Sequence, residues 1–160
     1  MSSFGFVVIA ILYATIGLLG AAGTVFLVGK YLAPKGEQIF YGLFLILIAA
    51  FYLAFAAYFK SAEAWRVEIV AVVLFSLVGL FGMRLPIALI VGYPLHGLWD
   101  LLHELQAHGA WIGFQPEQLT AIPLAYGIFC LAFDLCMAWY FHTRRDEWEA
   151  AWSEAPEAPA

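Results

Sequence analysis

The stretch Gly82-Met83-Arg84-Leu85-Pro86 decides how many helices this chain builds. It interrupts an apolar tract running from residue 66 to residue 107. If the helix runs through it, a single span of 66–92 is followed by a polar loop, and the chain has four helices. If it is a tight turn, the tract divides into spans of about 66–82 and 85–107, and the chain has five. Gly, Arg and Pro together favour the turn, because Pro disfavours a helical conformation at the residue before it.

The runs on either side supply the rest of the count. Residues 4–29, 38–59 and 119–142 are each long enough to cross a hydrocarbon core of about 30 Å. The first run has no basic leader and no Ala-x-Ala site, and it exceeds the apolar length of a signal peptide, so it reads as a mature helix. Basic residues then choose between four and five. With five helices and the N-terminus outside, Lys30, Lys35, Arg84, Arg144 and Arg145 gather on the cytoplasmic side, and Lys60 and Arg66 stay outside. With four, no orientation collects more than four of the seven, and Arg84 falls inside a span. The expectation is an all-α, polytopic bundle of five transmembrane helices in a bacterial-type plasma (inner) membrane. Residues 1–142 form its single domain, and 143–160 form a solvated, acidic cytoplasmic tail.

Composition points the same way. The 160 residues are 64% hydrophobic and 12% charged, with a mean hydropathy of +0.88. A soluble domain carries about twice that charged fraction, and a short chain cannot hide this much apolar surface from water. A soluble enzyme, a nucleic-acid partner and a disordered chain are excluded on that ground. The net charge of −5 belongs mostly to the tail, where five acids and two bases follow from Arg144 onward. Cys130 and Cys136 lie six residues apart in one apolar run and cannot bridge each other. Gly17, Gly20 and Gly23 give the first helix a small-residue face for packing.

The informative residues are the polar ones inside spans, each costing about 2.5–3.5 kcal/mol at the bilayer centre. On the fourth helix, His96, Asp100 and His103 recur at i, i+4 and i+7, within about 60° of one another at 100° per residue. Glu104 lies about 80° from His96, toward the rim. The fifth helix carries Cys130 and Asp134 on one face, with Tyr126 nearby, and the third carries Glu68 at its outer end. At about 1.5 Å per residue, His96 and Asp134 fall at matching depths near the midplane.

Imidazole and carboxylate suit zinc, iron or manganese, and two or three protein ligands leave a position open for water. The same groups serve metal-free acid–base chemistry. The plainer reading is a hydrogen-bonded His–Asp network that only joins two helices. His108 and His142 sit at helix ends, Cys130 reads as a small buried hydrophobe, and His96 and His103, on one helix, cannot sandwich a haem. Trp65, Trp111, Trp148 and Trp152 fall at the boundaries, where membrane interfaces attract indoles. Trp99 borders the polar stripe.

The block Leu95-His96-Gly97-Leu98-Trp99-Asp100-Leu101-Leu102-His103 resembles that of a family of small bacterial integral membrane proteins of uncharacterised activity. Their block reads Leu-His-(Gly/Thr)-x-Trp-Asp-x-x-His-His, and a Cys-x-x-x-Asp follows in the last helix, as Cys130 to Asp134 does here. The likeness reaches back to about Gln38 and sets Glu68 at the place of a Glu in the family's third helix. Glu104 stands where the family has its second His, and the family's Asn-Pro turn is missing. The resemblance implies a short third helix and a polar cluster, and no reaction.

The functional expectation is a metal-dependent intramembrane enzyme acting on a lipid or isoprenoid-like substrate. Its ligands are His96, Asp100, His103 and Asp134; Glu68, His96 and Asp100 are its candidate catalytic groups. The alternatives are a metal-free isomerase or cyclase, a small transporter, or an accessory subunit of a larger membrane complex. Beside membrane lipid, such a complex or a homo-oligomer is the expected partner. For a subunit, the aromatic face Phe40, Phe44, Phe51 and Phe55 of the second helix offers the contact.

Overall fold

A computed structural model of the chain describes residues 3–153. Among them are five α-helices and no strand: α1 (Ser3–Tyr31), α2 (Pro34–Tyr58), α3 (Trp65–Gly82), α4 (Pro86–Ala107) and α5 (Tyr126–Ser153), with a single 3₁₀ turn at Pro116–Gln118. Residues 82–86 form a turn between α3 and α4. Leu85 is extended (φ −114°, ψ 100°), as a residue before Pro should be, and Pro86 opens α4 where its missing N–H costs nothing. Pro34 does the same for α2, which therefore starts four residues before the apolar run at 38.

α1, α2 and α3 are each long and apolar enough to cross a membrane. Their outward residues stay uncovered: Leu19 and Phe26 of α1 are about two-thirds exposed. α5 is the hub, with α4 packed closely on one side and α1 on another, while α2 pairs with α3. Gly127 shows how tight the α4–α5 crossing is, since a Cβ there would lie 2.3 Å from the Asp100 carbonyl oxygen. In α1 the small-residue face is used at Gly17, which abuts the Phe129 carbonyl, whereas Gly23 faces open space.

The apolar core fills one half of the bundle, around Tyr41, Leu45, Leu89, Tyr93, Met137, Phe141 and Trp148. It continues past the residue where α5 was expected to end. Residues 143–153 are helical, and Trp148 is fully buried rather than interfacial. Its indole Nε1–H donates to Glu37 Oε2 at 2.9 Å, and the same carboxylate accepts from Arg144 Nη2 at 3.0 Å and from the Tyr140 hydroxyl. Next to it, Gln38 donates to the Gly82 carbonyl at 2.7 Å and accepts from Trp152 Nε1 at 2.9 Å. Burial without partners would make Glu37 costly; these three donors, with Arg144 Nε as a fourth at 3.2 Å, turn this segment into a latch across α2, α3 and α5. The extension is thus helical through 153 and anchored at Trp148, with most of its other residues exposed, and its remainder, 154–160, lies outside the described residues.

α5 also begins later than its apolar run. Residues 119–125 are non-helical, Pro123 lies within them, and Ala125 adopts a positive φ of 57° before the first turn.

Candidate functional site

The polar stripe of α4 faces inward along its whole length: His96, Asp100 and His103 are each 2% exposed or less. What it meets differs with height. His96 Nδ1 lies 2.9 Å from Asp134 Oδ2 on α5 and 3.2 Å from Asp100 Oδ2, one turn along its own helix. One ligand atom from each of the three lies within 4.8 Å of the others. Two ligands each about 2.0–2.1 Å from a tetrahedral or octahedral ion are about 2.8–3.4 Å apart, so both separations match the edge of a coordination polyhedron.

Two atoms of this triad have nothing to bind. His96 Nε2 and Asp134 Oδ1 are buried with no hydrogen-bond partner, and Asp100 Oδ2 has only the 3.2 Å contact with His96 Nδ1. Buried polar atoms are rarely left so, and here two fall in one cluster. Asp100 Oδ1 is satisfied by the Tyr52 hydroxyl of α2, which donates to it. Sequence reasoning missed Tyr52, because one Tyr in an apolar helix gives no signal until its neighbours in space are known.

His103 and Glu68 are not part of the triad. His103 lies seven residues above His96, about 10 Å along the helix axis, too far to share one ion with it. There it meets Glu68 of α3, Nε2 to Oε1 at 2.9 Å, while Nδ1 faces the Trp99 carbonyl at 2.9 Å. A carbonyl only accepts, so Nδ1 is the donor in that contact. Thr120 N–H also donates to Glu68 Oε1, at 2.9 Å. The four-ligand set expected on one face is therefore a triad and a separate dyad. The Tyr52 ring packs between them, with centroids 4.4 Å from His103 and 6.4 Å from His96. Above the dyad, His103, Gln106 and Thr120 border a small chamber of about 180 Å³.

Glu104 is corrected as well. It is buried, not at the rim, and its carboxylate accepts from the backbone N–H groups of Ala125 (3.1 Å) and Gly127 (3.2 Å). That is a carboxylate on the N-terminal end of α5, where free N–H groups and the helix dipole both favour negative charge. His108 Nε2 reaches it from one turn away at 3.0 Å.

Beside the triad lies an apolar cleft of about 330 Å³ between α2 and α5. Phe44, Phe51 and Phe55 of the aromatic α2 face line it together with Phe129, and His96 and Asp134 form its polar wall. Cys130 lines it too, as a buried free thiol. The arrangement sets a buried His–Asp cluster against an apolar space. No protein-family model, curated protein or solved structure matches the chain.

Proposed function

We propose that the chain is a metal-dependent integral membrane enzyme acting on a lipid or isoprenoid-like substrate. His96, Asp100 and Asp134 hold one divalent ion, and the cleft between α2 and α5 takes the apolar chain. The observation that carries this reading is a buried His–Asp–Asp group, its ligand atoms within 4.8 Å of one another and His96 Nε2 and Asp134 Oδ1 unpartnered, next to an apolar cleft. Charge supports it: two carboxylates buried together repel, and one divalent cation with a neutral imidazole makes the cluster neutral. Zinc, iron and manganese all accept this donor set. With three protein ligands, an ion held there would keep a position open and would supply Lewis-acid activation of water if the reaction is hydrolysis. Kinship with the family that carries the His-x-x-Trp-Asp block is part of the proposal.

The topology belongs to it too. All five helices cross, and the Glu37–Arg144 latch faces the cytoplasm with the C-terminus. Lys35 and Arg84 both stack on the Trp152 ring, and Arg144 binds Glu37 beside them. Three of the five cations assigned to the inside therefore meet at one end of the bundle, as positive-inside placement requires.

The test is elemental analysis of the protein purified in detergent, beside His96→Ala and Asp134→Ala. About one equivalent of a transition metal in the native chain, lost in both variants, is expected. Substoichiometric metal that is unchanged in the variants overturns the reading. One observation favours a metal-free acid–base site instead: His96 Nδ1 and Asp134 Oδ2 already sit at hydrogen-bond distance. On that reading the native chain carries no bound metal.

A further inference from the structure

A second, larger groove of about 690 Å³ runs along the other side of α4, against α3, and none of the triad lines it. Val70, Leu74 and Val78 form one i, i+4, i+8 stripe of its α3 wall, opposed by Leu98 and Trp99 of α4. At its α2–α3 end the groove stops at Arg66, exposed and without a carboxylate partner among the described residues. Trp99 adds a second unmet need, because its indole N–H is buried with no acceptor.

We infer that this groove is a binding site for one anionic phospholipid, with its headgroup on Arg66 and an acyl chain along the α3 stripe. Three observations select that occupant. The distance along α3 from Arg66 to Val78 is about 18 Å, close to the half-thickness of a hydrocarbon core of about 30 Å. A chain of one leaflet thus reaches from the groove's charged end to its last apolar residue. The walls are open sideways, with Val70, Leu74 and Leu98 about half exposed, so lipid enters from the bilayer rather than from water. An unpaired guanidinium at the headgroup level matches phosphate with its planar fork, and it favours a lipid of net negative charge over one whose choline ammonium cancels the phosphate. A helix of a second copy fits less well, since nothing in an apolar helix face answers a lone cation at the groove's end.

The experiment uses the full chain reconstituted in vesicles with phosphatidylglycerol or phosphatidylcholine, each carrying the same diazirine-labelled acyl chain. Crosslinks are mapped by mass spectrometry after illumination. Labelling of residues 67–78 and 95–102 by the anionic lipid is expected to exceed that by the zwitterionic one several-fold. Arg66→Gln should reduce it to the zwitterionic level, while Lys60→Gln, another exposed cation at the same end, should leave it unchanged. Equal labelling by both lipids overturns the site, as does labelling spread evenly onto α1 or an anionic preference that survives Arg66→Gln. Protection of α3–α4 from both probes, with a dimer persisting in detergent, overturns it in favour of a second copy.

Discussion

His96 on α4 and Asp134 on α5 meet at 2.9 Å although 38 residues separate them, and neither is more than 1% exposed. Placing an imidazole and a carboxylate in contact at this depth commits the α4–α5 packing to a polar centre. If that centre holds a metal, the ion binds the folded state alone and stabilises it by mass action. EDTA should therefore lower the Tm of the native chain in detergent by several degrees. Asp134→Asn, which keeps the shape and removes the charge, should melt at the same temperature with and without the chelator. An equal EDTA effect on both proteins would show that any metal bound lies elsewhere.

Glu104 makes a prediction independent of the triad. Its carboxylate satisfies two N–H groups at the start of α5, a contact of the N-cap type, whose loss costs about 0.5–2 kcal/mol. Glu104→Ala should lower stability by about 1–2 kcal/mol in thermal or denaturant unfolding. Metal content should be unchanged, because Glu104 is not in the ligand group. Loss of metal together with stability would mean that the cap and the triad are one unit.

The sequence made some of these relations readable and hid others for physical reasons. Pro86 and Gly82 act on their own backbone neighbours, so the turn between α3 and α4 could be read locally. The inward stripe of α4 was equally legible, because helical periodicity is a property of one segment. Its partners were not. A 60° fan of residues fixes which face is buried but not what each height of that face meets, so His103 was grouped with His96 although it meets Glu68 of α3 instead. The start of α5 was concealed by the apolar residues Leu119, Ile122 and Leu124, which extend the hydropathic run through a non-helical approach. The last three turns of α5 show no sign of an anchor in sequence, because Arg144, Arg145, Glu147 and Glu149 crowd them and most of these side chains are exposed. Their anchor is Glu37, 111 residues before Trp148, and no local pattern reports a contact so distant.

The glycines of α5 and α1 give a paired test. At Gly127 an added methyl would meet the Asp100 carbonyl at 2.3 Å and Glu104 Cβ at 2.7 Å, whereas at Gly23 it would meet nothing within 4 Å. Gly127→Ala must push α5 off α4, with an overpacking cost of about 1–3 kcal/mol. By moving Asp100 it should also reduce bound metal. Gly23→Ala should be neutral or stabilising by up to about 1 kcal/mol, the difference in helix propensity. Similar melting temperatures for the two variants would contradict the close crossing of α4 and α5.

The latch at the other end of the bundle makes the largest energetic claim. Trp148 is fully buried among Tyr41, Phe141 and Glu37, and removing a buried indole costs about 3–5 kcal/mol. Trp148→Ala should therefore unfold at a much lower temperature than the native chain, and Trp148→Phe should recover most of the packing but not the hydrogen bond to Glu37. Glu37→Ala should be comparably severe, because it leaves Trp148 Nε1, Arg144 and the Tyr140 hydroxyl without their common acceptor. In the double variant Trp148→Phe/Glu37→Ala the two losses should fall short of additive, since the hydrogen bond they share can be lost only once. Additive losses in a thermal-unfolding cycle would show that Glu37 and Trp148 stabilise the bundle separately, and the α5 extension would then be a packed helix without a latch.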